Sequence, residues 1–266
     1  MKGKTGILKK FITSIYDINV FSEYAKEGIV KAIVYILIVC SGLGIIKGGI
    51  LGYKINLGVN SITRYLQSNG RNIEIENGLL KLDSNIPNIY NYIYLDNDRT
   101  INQDIDYKGI FYNDKIDLLI LKDGIAFNNY GSIYTLKYND IFKSNDVDSE
   151  IVIKKTNSFS YLIIGIIIVV NIIELVKDLA INYFIIVTAA LLVSIFMKMI
   201  VKYKALWSLV IYSSTFPLTI LIILNILKPN INFDFTFIGG NLVYIILTLR
   251  HIKDEIIQKL SKGNLK

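Results

Sequence analysis

Asp96, Asp98 and Thr100 follow the apolar run Tyr90 to Leu95 in the spacing Asp-x-Asp-x-Thr. These types at this spacing fit phosphoryl transfer. A carboxylate at a strand end can attack phosphorus, a second one two residues on can serve as general acid and base, and Mg²⁺ offsets the phosphate charge. The same pair, joined by Asp104 or Asp106, can instead hold a divalent cation, because clustered carboxylates suit hard cations. The third reading is plainer: Asp and Asn side chains accept local backbone N–H groups in a polar turn after a strand.

The surroundings decide among these. The pattern resembles the opening motif of haloacid-dehalogenase-type phosphotransferases, whose chemistry also needs a later Lys and a further acidic pair on a parallel α/β sheet. The residues between Asp98 and the next apolar stretch read as antiparallel hairpins and contain no Gly-Asp-x-x-x-Asp or Asp-Asp pair. No Gly is placed for an EF-hand turn. The turn is therefore the expectation at Asp96 and Asp98, with a cation as the open alternative. His251 is the sole His and Cys40 the sole Cys. No His/Cys metal constellation, Ser-His arrangement or Gly-x-x-x-x-Gly-Lys loop is present. The chain is expected not to be an enzyme, to have no catalytic residues and to need no cofactor.

The elements that carry these residues belong to a membrane protein. The 266 residues are 52% hydrophobic and only 19% charged, against roughly 25% in soluble domains, and the mean hydropathy is +0.45. One Cys allows no intrachain disulfide. Abundant Ile, Asn, Lys and Tyr match the codon bias of an AT-rich genome, so the 18 Tyr alone carry no argument. Residues 53–157 hold 12 Lys/Arg against 14 Asp/Glu, a net of −2, while the rest holds 17 against 8, a net of +9. A nucleic-acid binder would place its basic excess on the folded polar domain, so nucleic acid is excluded as a partner.

Spans need about 20 mostly apolar residues. Five stretches qualify by pattern: Ile29 to Leu51, Phe159 to Val176, Ile181 to Val201, Ala205 to Leu227 and the shorter Phe235 to Leu249. The first is too long for a signal-peptide core. Lys2, Lys4, Lys9, Lys10, Lys26 and Lys31 precede or enter it, and the positive-inside rule then holds the N-terminus in the cytoplasm. With five spans, Lys198, Lys202, Lys204 and the basic tail fall outside, which conflicts with the same rule. Either one span is re-entrant or residues 53–157 are cytoplasmic. Upstream, Ile7, Leu8, Phe11, Ile12, Ile15 and Tyr16 share one helical face opposite Lys9, Lys10, Thr13, Ser14 and Asp17. That helix either lies on an anionic leaflet or packs on the cytoplasmic end of the bundle.

The polar middle reads as strands. Asn72 to Leu82 alternates around Asn77-Gly78, a two-residue hairpin signal. Lys115 to Phe127 turns at Asp123-Gly124, and Ser132 to Tyr138 reads as a further strand, with a helix near Asn139 to Lys143. Five or six strands and about 100 residues can bury a small core. The expected fold is an α-helical polytopic membrane protein of about five spans with a small β-rich domain between spans 1 and 2. Its parts are a basic amphipathic segment (1–28), a first span (29–52), an extracytoplasmic β-rich domain (53–157), a four-span helical domain (158–252) and a basic tail (253–266).

This order, with "IENGLL" (Ile75 to Leu80), a strand ending in Asp-x-Asp-Arg-Thr, "LILKDGIAF" (Leu119 to Phe127) and "YSSTFPLTI" (Tyr212 to Ile220) in the penultimate span, resembles the bacterial membrane proteins of the domain-of-unknown-function 1189 family. The helical part is also distantly similar to Yip1-type five-span proteins. The resemblance implies an architecture and a multi-pass place in the bacterial cell membrane. It carries over no site residues.

Inside the spans, Cys40, Gly44, Gly48 and Gly52 recur every four residues, a spacing that lets helix backbones approach closely. Their partner is a helix of the same chain or of a second copy. Asn171 and Glu174 lie toward one end of the second span. Buried, Glu174 would point to an ion or proton path; near a turn before Ile181 it is interfacial and can pair with Lys177. Pro217 should kink the fourth span beside hydroxyls that can satisfy the freed carbonyls, either lining a cavity or packing. The expected role is a non-enzymatic accessory or sensory protein whose outer domain binds an envelope ligand or another membrane protein. The alternative is a transporter or transporter subunit using the polar faces of spans 2 and 4. The lipid bilayer is a partner in both.

Overall fold

The computed structural model describes residues 6–69, 73–82, 89–90, 92–103, 105–113, 116–129, 131–141, 149–228 and 231–263. In chain order these form α1 (Ile7–Tyr16), a 3-10 turn (Ile18–Val20), α2 (Phe21–Ala25), α3 (Ile29–Asn69), β1 (Ile73–Glu76), β2 (Leu79–Leu82), β3 (Ile89–Tyr90), β4 (Ile93–Asp96), α4 (Tyr107–Asn113), β5 (Leu118–Leu121), β6 (Gly124–Asn129), β7 (Ser132–Lys137), α5 (Tyr138–Ile141), α6 (Ser149–Phe196), α7 (Tyr203–Ser213), α8 (Thr215–Leu227) and α9 (Asp234–Gly263). The chain falls into two units, residues 1–44 with 172–266 and residues 45–171, and α3 and α6 run through both.

α3 and α6 are unbroken over 41 and 48 residues. At 1.5 Å per residue they are about 62 and 72 Å long, roughly twice the ~30 Å hydrocarbon core of a bilayer. Phe159 to Val176 and Ile181 to Val201, read from sequence as two spans, lie on α6 except for the last five residues. The physical reason is plain. Glu174 to Ala180 brings charge but no Gly, Pro or Asn, and its residues are tolerated in a helix interior. Polarity alone does not break a helix. Three helical segments are long and apolar enough to cross a membrane, Ile29–Tyr65, Ile163–Phe196 and Asp234–Gln258. A fourth is obtained when α7 and α8, bent by 42°, count together. Five are not found among the described residues. α6 stops where Lys198 takes a positive φ of 54°, a C-terminal cap geometry, and Lys253 Nζ donates to the Met197 carbonyl at 3.1 Å.

The first unit is a helical bundle cored by α2, α3, α6, α7, α8 and α9, with Phe21, Tyr35, Tyr212 and Phe237 among its fully buried side chains. The second unit holds a five-stranded sheet, β3-β4-β5-β6-β7, and the separate hairpin β1-β2. Asn77 and Gly78 both have positive φ, 53° and 72°, as the hairpin signal requires. The turn before Gly124 is present too. One expectation fails: β4 and β5 pair parallel, Ile93 with Leu118 through Asp96 with Leu121, with α4 in the connection. The domain is therefore mixed rather than antiparallel. Alternation along the strands covers both sheet faces. Ile93, Leu95, Leu118, Ile125 and Phe127 join Leu51, Ile55 and Ile163 of α3 and α6, while Leu119, Leu121 and Ala126 meet Ile105, Phe111 and Ile116. The expected helix near Asn139 is the short α5; residues 142–148 lie outside the described residues, as do Lys2, Lys4 and Lys266.

Candidate functional site

Asp96 ends β4. Its Oδ1 accepts the backbone N–H of Asp98 at 3.1 Å and of Arg99 at 3.2 Å, and its Oδ2 lies 3.5 Å from Arg99 Nε. Asp98 is exposed. Asp106 Oδ1 accepts from Gly109 N at 2.9 Å, and Asp104 lies outside the described residues. The parallel β4-α4-β5 frame comes nearer to a phosphotransferase than hairpins would, yet both oxygens of Asp96 are engaged in holding its own turn. Among the described residues no three His, Cys, Asp or Glu gather as metal ligands.

The small-residue stripe meets α6 of the same chain. In the first unit Cys40 is buried, and a Cβ added at Gly44 would lie 2.6 Å from Ile172 Cγ1. In the second unit a Cβ on Gly48 would lie 2.8 Å from Ile168 Cα, and one on Gly52 2.9 Å from Ile164 Cγ2. Successive glycines thus admit successive turns of α6. Asn171 is fully buried; its Nδ2 donates to the Ile167 carbonyl at 2.9 Å, while its Oδ1 has no hydrogen-bond partner among the described residues. Glu174 is 8% exposed and, since α6 continues past it, sits inside an apolar segment with no turn beside it. Lys177 pairs with its neighbour Asp178 at 3.7 Å.

A polar site with several buried hydroxyls lies at the α7-α8 break, wholly within the first unit. Pro217 has no N–H to offer the carbonyl four residues back and its ring crowds that carbonyl, so α7 ends at Ser213 and α8 restarts at Thr215. Pro217 then sits in the first turn of α8, where a missing N–H is tolerated, and would touch a Cβ on Gly240 of α9 at 3.5 Å. The expected hydroxyls close the break. Ser214 Oγ donates to the Ile211 carbonyl at 2.7 Å and Thr215 Oγ1 to that of Tyr212 at 2.9 Å. Each has spent its one proton, so each accepts from a tyrosine. Tyr183 of α6 reaches Ser214 at 2.6 Å, and Tyr35 of α3 reaches Thr215 at 2.8 Å. Ser213 Oγ lies 2.7 Å from Asn241 Oδ1 of α9. Three consecutive residues thus bind three different helices.

A second layer adjoins this hub. The Tyr212 ring lies 4.9 Å from that of Tyr35 and 5.2 Å from that of Tyr24. Lys10 Nζ sits 5.2 Å from the Tyr24 ring centre and 5.5 Å from that of Tyr212, and 2.5 Å from Glu27 Oε2. Opposite charge and two π-faces offset the cost of burying the ammonium. Thr13 Oγ1 meets the Tyr24 hydroxyl at 2.8 Å. α1 is therefore turned inside out relative to a helix in water. Lys10 and Ser14 are buried, whereas Leu8 and Tyr16 are 74% and 71% exposed.

The arrangement ties α3, α6 and α9 to the α7-α8 break. Sequence reasoning found Pro217 and its hydroxyls but missed Tyr35, Tyr183, Asn241 and the Lys10–Glu27 pair. The available signal was the polar face of α1, since Lys10 and Ser14 lie four apart. No match is found among curated proteins or among solved structures. A family model described as a protein of unknown function, DUF1189, matches residues 8–251. That stretch runs from α1 into α9 and contains every residue of the hub, and on its strength the chain belongs to the domain-of-unknown-function 1189 family.

Proposed function

We propose that this is a non-enzymatic multi-pass membrane protein of accessory or sensory type, in which residues 53–157 bind an extracytoplasmic ligand or partner and α3 and α6 relay that event to the hub. One observation carries the reading. The two helices that run through both units are the two that present Tyr35 and Tyr183 to adjacent residues of the break. A shift of α3 or α6 must strain or exchange those bonds. The sole Cys, Cys40, is buried on α3 and reports such a shift. Lys54 of α3 lies 3.5 Å from Asp117 and 5.5 Å from the Tyr92 ring centre, so Lys54→Gln loosens the β-rich domain from α3. Alkylation of Cys40 in the full chain should then quicken about three-fold or more through local opening. An unchanged rate would remove the relay.

The proposed topology has four spans with both termini in the cytoplasm. What supports it is charge. With α6 crossing once and α7-α8 together once, the N-terminal lysines, Lys198, Lys202, Lys204, Arg250, Lys253 and Lys259 all come to one side, as the positive-inside rule asks. The conflict created by five spans disappears. Reporter fusions after Lys122 and at the C-terminus should be active on opposite sides; activity on the same side would refute four spans. Glu174, buried inside an apolar segment, favours a second reading as a transporter or transporter subunit. Flux in proteoliposomes that Glu174→Gln abolishes would select it.

A further inference from the structure

A cavity of about 320 Å³ lies in the first unit between α3, α6 and α7. Its walls include Cys40 of α3, Leu179 and Tyr183 of α6, and Ile211 of α7. Ile33, Leu37 and Phe184 also line it and are 44%, 43% and 63% exposed, so it is a groove with an apolar rim rather than a sealed void. The one hydroxyl in its lining, that of Tyr183, is occupied by Ser214 at 2.6 Å. The groove presents almost no polar surface to a ligand that needs hydrogen bonds. The volume is roughly twice the ~150 Å³ of an apolar cavity that stays dry and accepts benzene. The α3 residues that line it run from Ile29 to Cys40, about 16 Å of helix rise, so the groove suits a long narrow apolar group.

An aromatic cluster marks the groove. Trp207 lines it and packs edge-on against Phe184, with ring centres 5.1 Å apart, and against Tyr203 at 6.3 Å. Aromatic rings of this kind gather at the level of lipid headgroups. Lys204, exposed, lies one turn before Trp207 on the same face of α7, and Lys202 precedes it. We propose that this groove is a lipid site that takes one acyl chain of an anionic phospholipid, with the phosphate at Lys204. The inference goes beyond the relay reading and does not depend on it. Because Tyr183 forms part of the wall, an occupied groove braces the ring whose hydroxyl holds the break.

Trp207 is the only Trp in the chain, so its fluorescence reports this groove alone. The full chain, reconstituted in phosphatidylcholine bilayers, is titrated with brominated phosphatidylglycerol or with brominated phosphatidylcholine. The expected result is that the anionic lipid quenches Trp207 at a roughly five-fold lower mole fraction, the factor one lysine supplies near an anionic lipid. Lys204→Gln, at an exposed position, should remove the preference, and Ala180→Phe, on the rim, should weaken quenching by both lipids. Equal quenching by the two lipids in the wild type would reduce the groove to ordinary lipid contact and overturn the proposal. So would an unchanged preference in Lys204→Gln. Quenching that falls as protein is raised against lipid would assign the groove to a second copy instead, and would overturn it as well.

Discussion

Gly48→Ala adds one methyl group where, among the stripe's glycines, the backbone of α6 comes nearest. The added Cβ would lie 2.8 Å from Ile168 Cα and 3.3 Å from Ile168 N. These are backbone atoms, so no rotamer change relieves the clash. Reaching an ordinary carbon contact requires the helices to part by roughly 0.6 Å or more, a gap that forfeits a quarter to a half of the dispersion energy of the contacts it opens. Overpacking of this kind costs about 1–3 kcal/mol, offset by up to about 1 kcal/mol because Ala is a better helix former than Gly. Gly49, the next residue, has nothing within 4 Å of its Cβ position. Gly49→Ala should therefore keep only the gain. Thermal unfolding of the full chain in detergent, followed by ellipticity, should place Gly48→Ala below wild type and Gly49→Ala at or above it. At about 2–4 °C per kcal/mol the two variants should differ by several degrees. Equal midpoints, or Gly48→Ala as the more stable, would refute the argument that this seam is set by backbone contact.

Three further outcomes follow from the same geometry. Tyr35→Phe and Tyr183→Phe each remove a donor whose acceptor keeps its own carbonyl bond, so each should cost about 0.6 kcal/mol and at most about 1.7 kcal/mol, with a double-mutant cycle showing coupling through the break. Glu27→Gln leaves Lys10 buried without its counter-charge and should cost about 3 kcal/mol, the lower part of the range for broken buried pairs because Glu27 is a quarter exposed; adding Lys10→Met should recover most of it, read as protection of α1 from trypsin. Burial holds the Asp117 carboxyl above its ordinary value of 3.8, with Lys54 opposing the shift. The folded state thus binds that proton more tightly than the unfolded state, so this contribution is present in acid and is lost as pH rises through the raised value. Asp117→Asn should flatten the fall in stability of the β-rich domain with rising pH, and denaturant melts across the acid range should show it.

Much of this fold was legible because its signals are local. Asn77-Gly78 can adopt the positive φ that a tight hairpin needs, and Pro217 can only end or bend a helix. The small-residue stripe announced a close helix contact, although it could not name α6 as the partner. What was hidden depends on other parts of the chain. The direction in which β5 pairs with β4 is not written in either strand. Charge at Glu174, Lys177 and Asp178 imitated a loop because hydropathy windows register polarity, whereas only backbone preference ends a helix. The face of α1 was visible but not the medium each side meets, and Lys10 could be placed inward only once Glu27, Tyr24 and Tyr212 surrounded it. Tyr35 and Tyr183 were lost among 18 tyrosines, a number that compositional bias alone explains.

The inward-turned α1 also imposes an order on assembly. Some of its partners are made long after it. It packs on α8, and the Tyr244 hydroxyl donates to the Ile15 carbonyl across 229 residues. At about 5–20 residues per second, roughly ten to fifty seconds separate synthesis of α1 from that of α9. Until α7 and α8 are made, Lys10 has Glu27 and Tyr24 at hand but neither Tyr212 nor the seat on α8. This helix must wait in a provisional site and dock only once α7 and α8 are made. A chain shortened before α7 would thus fail first at α1, left undocked and open to proteases.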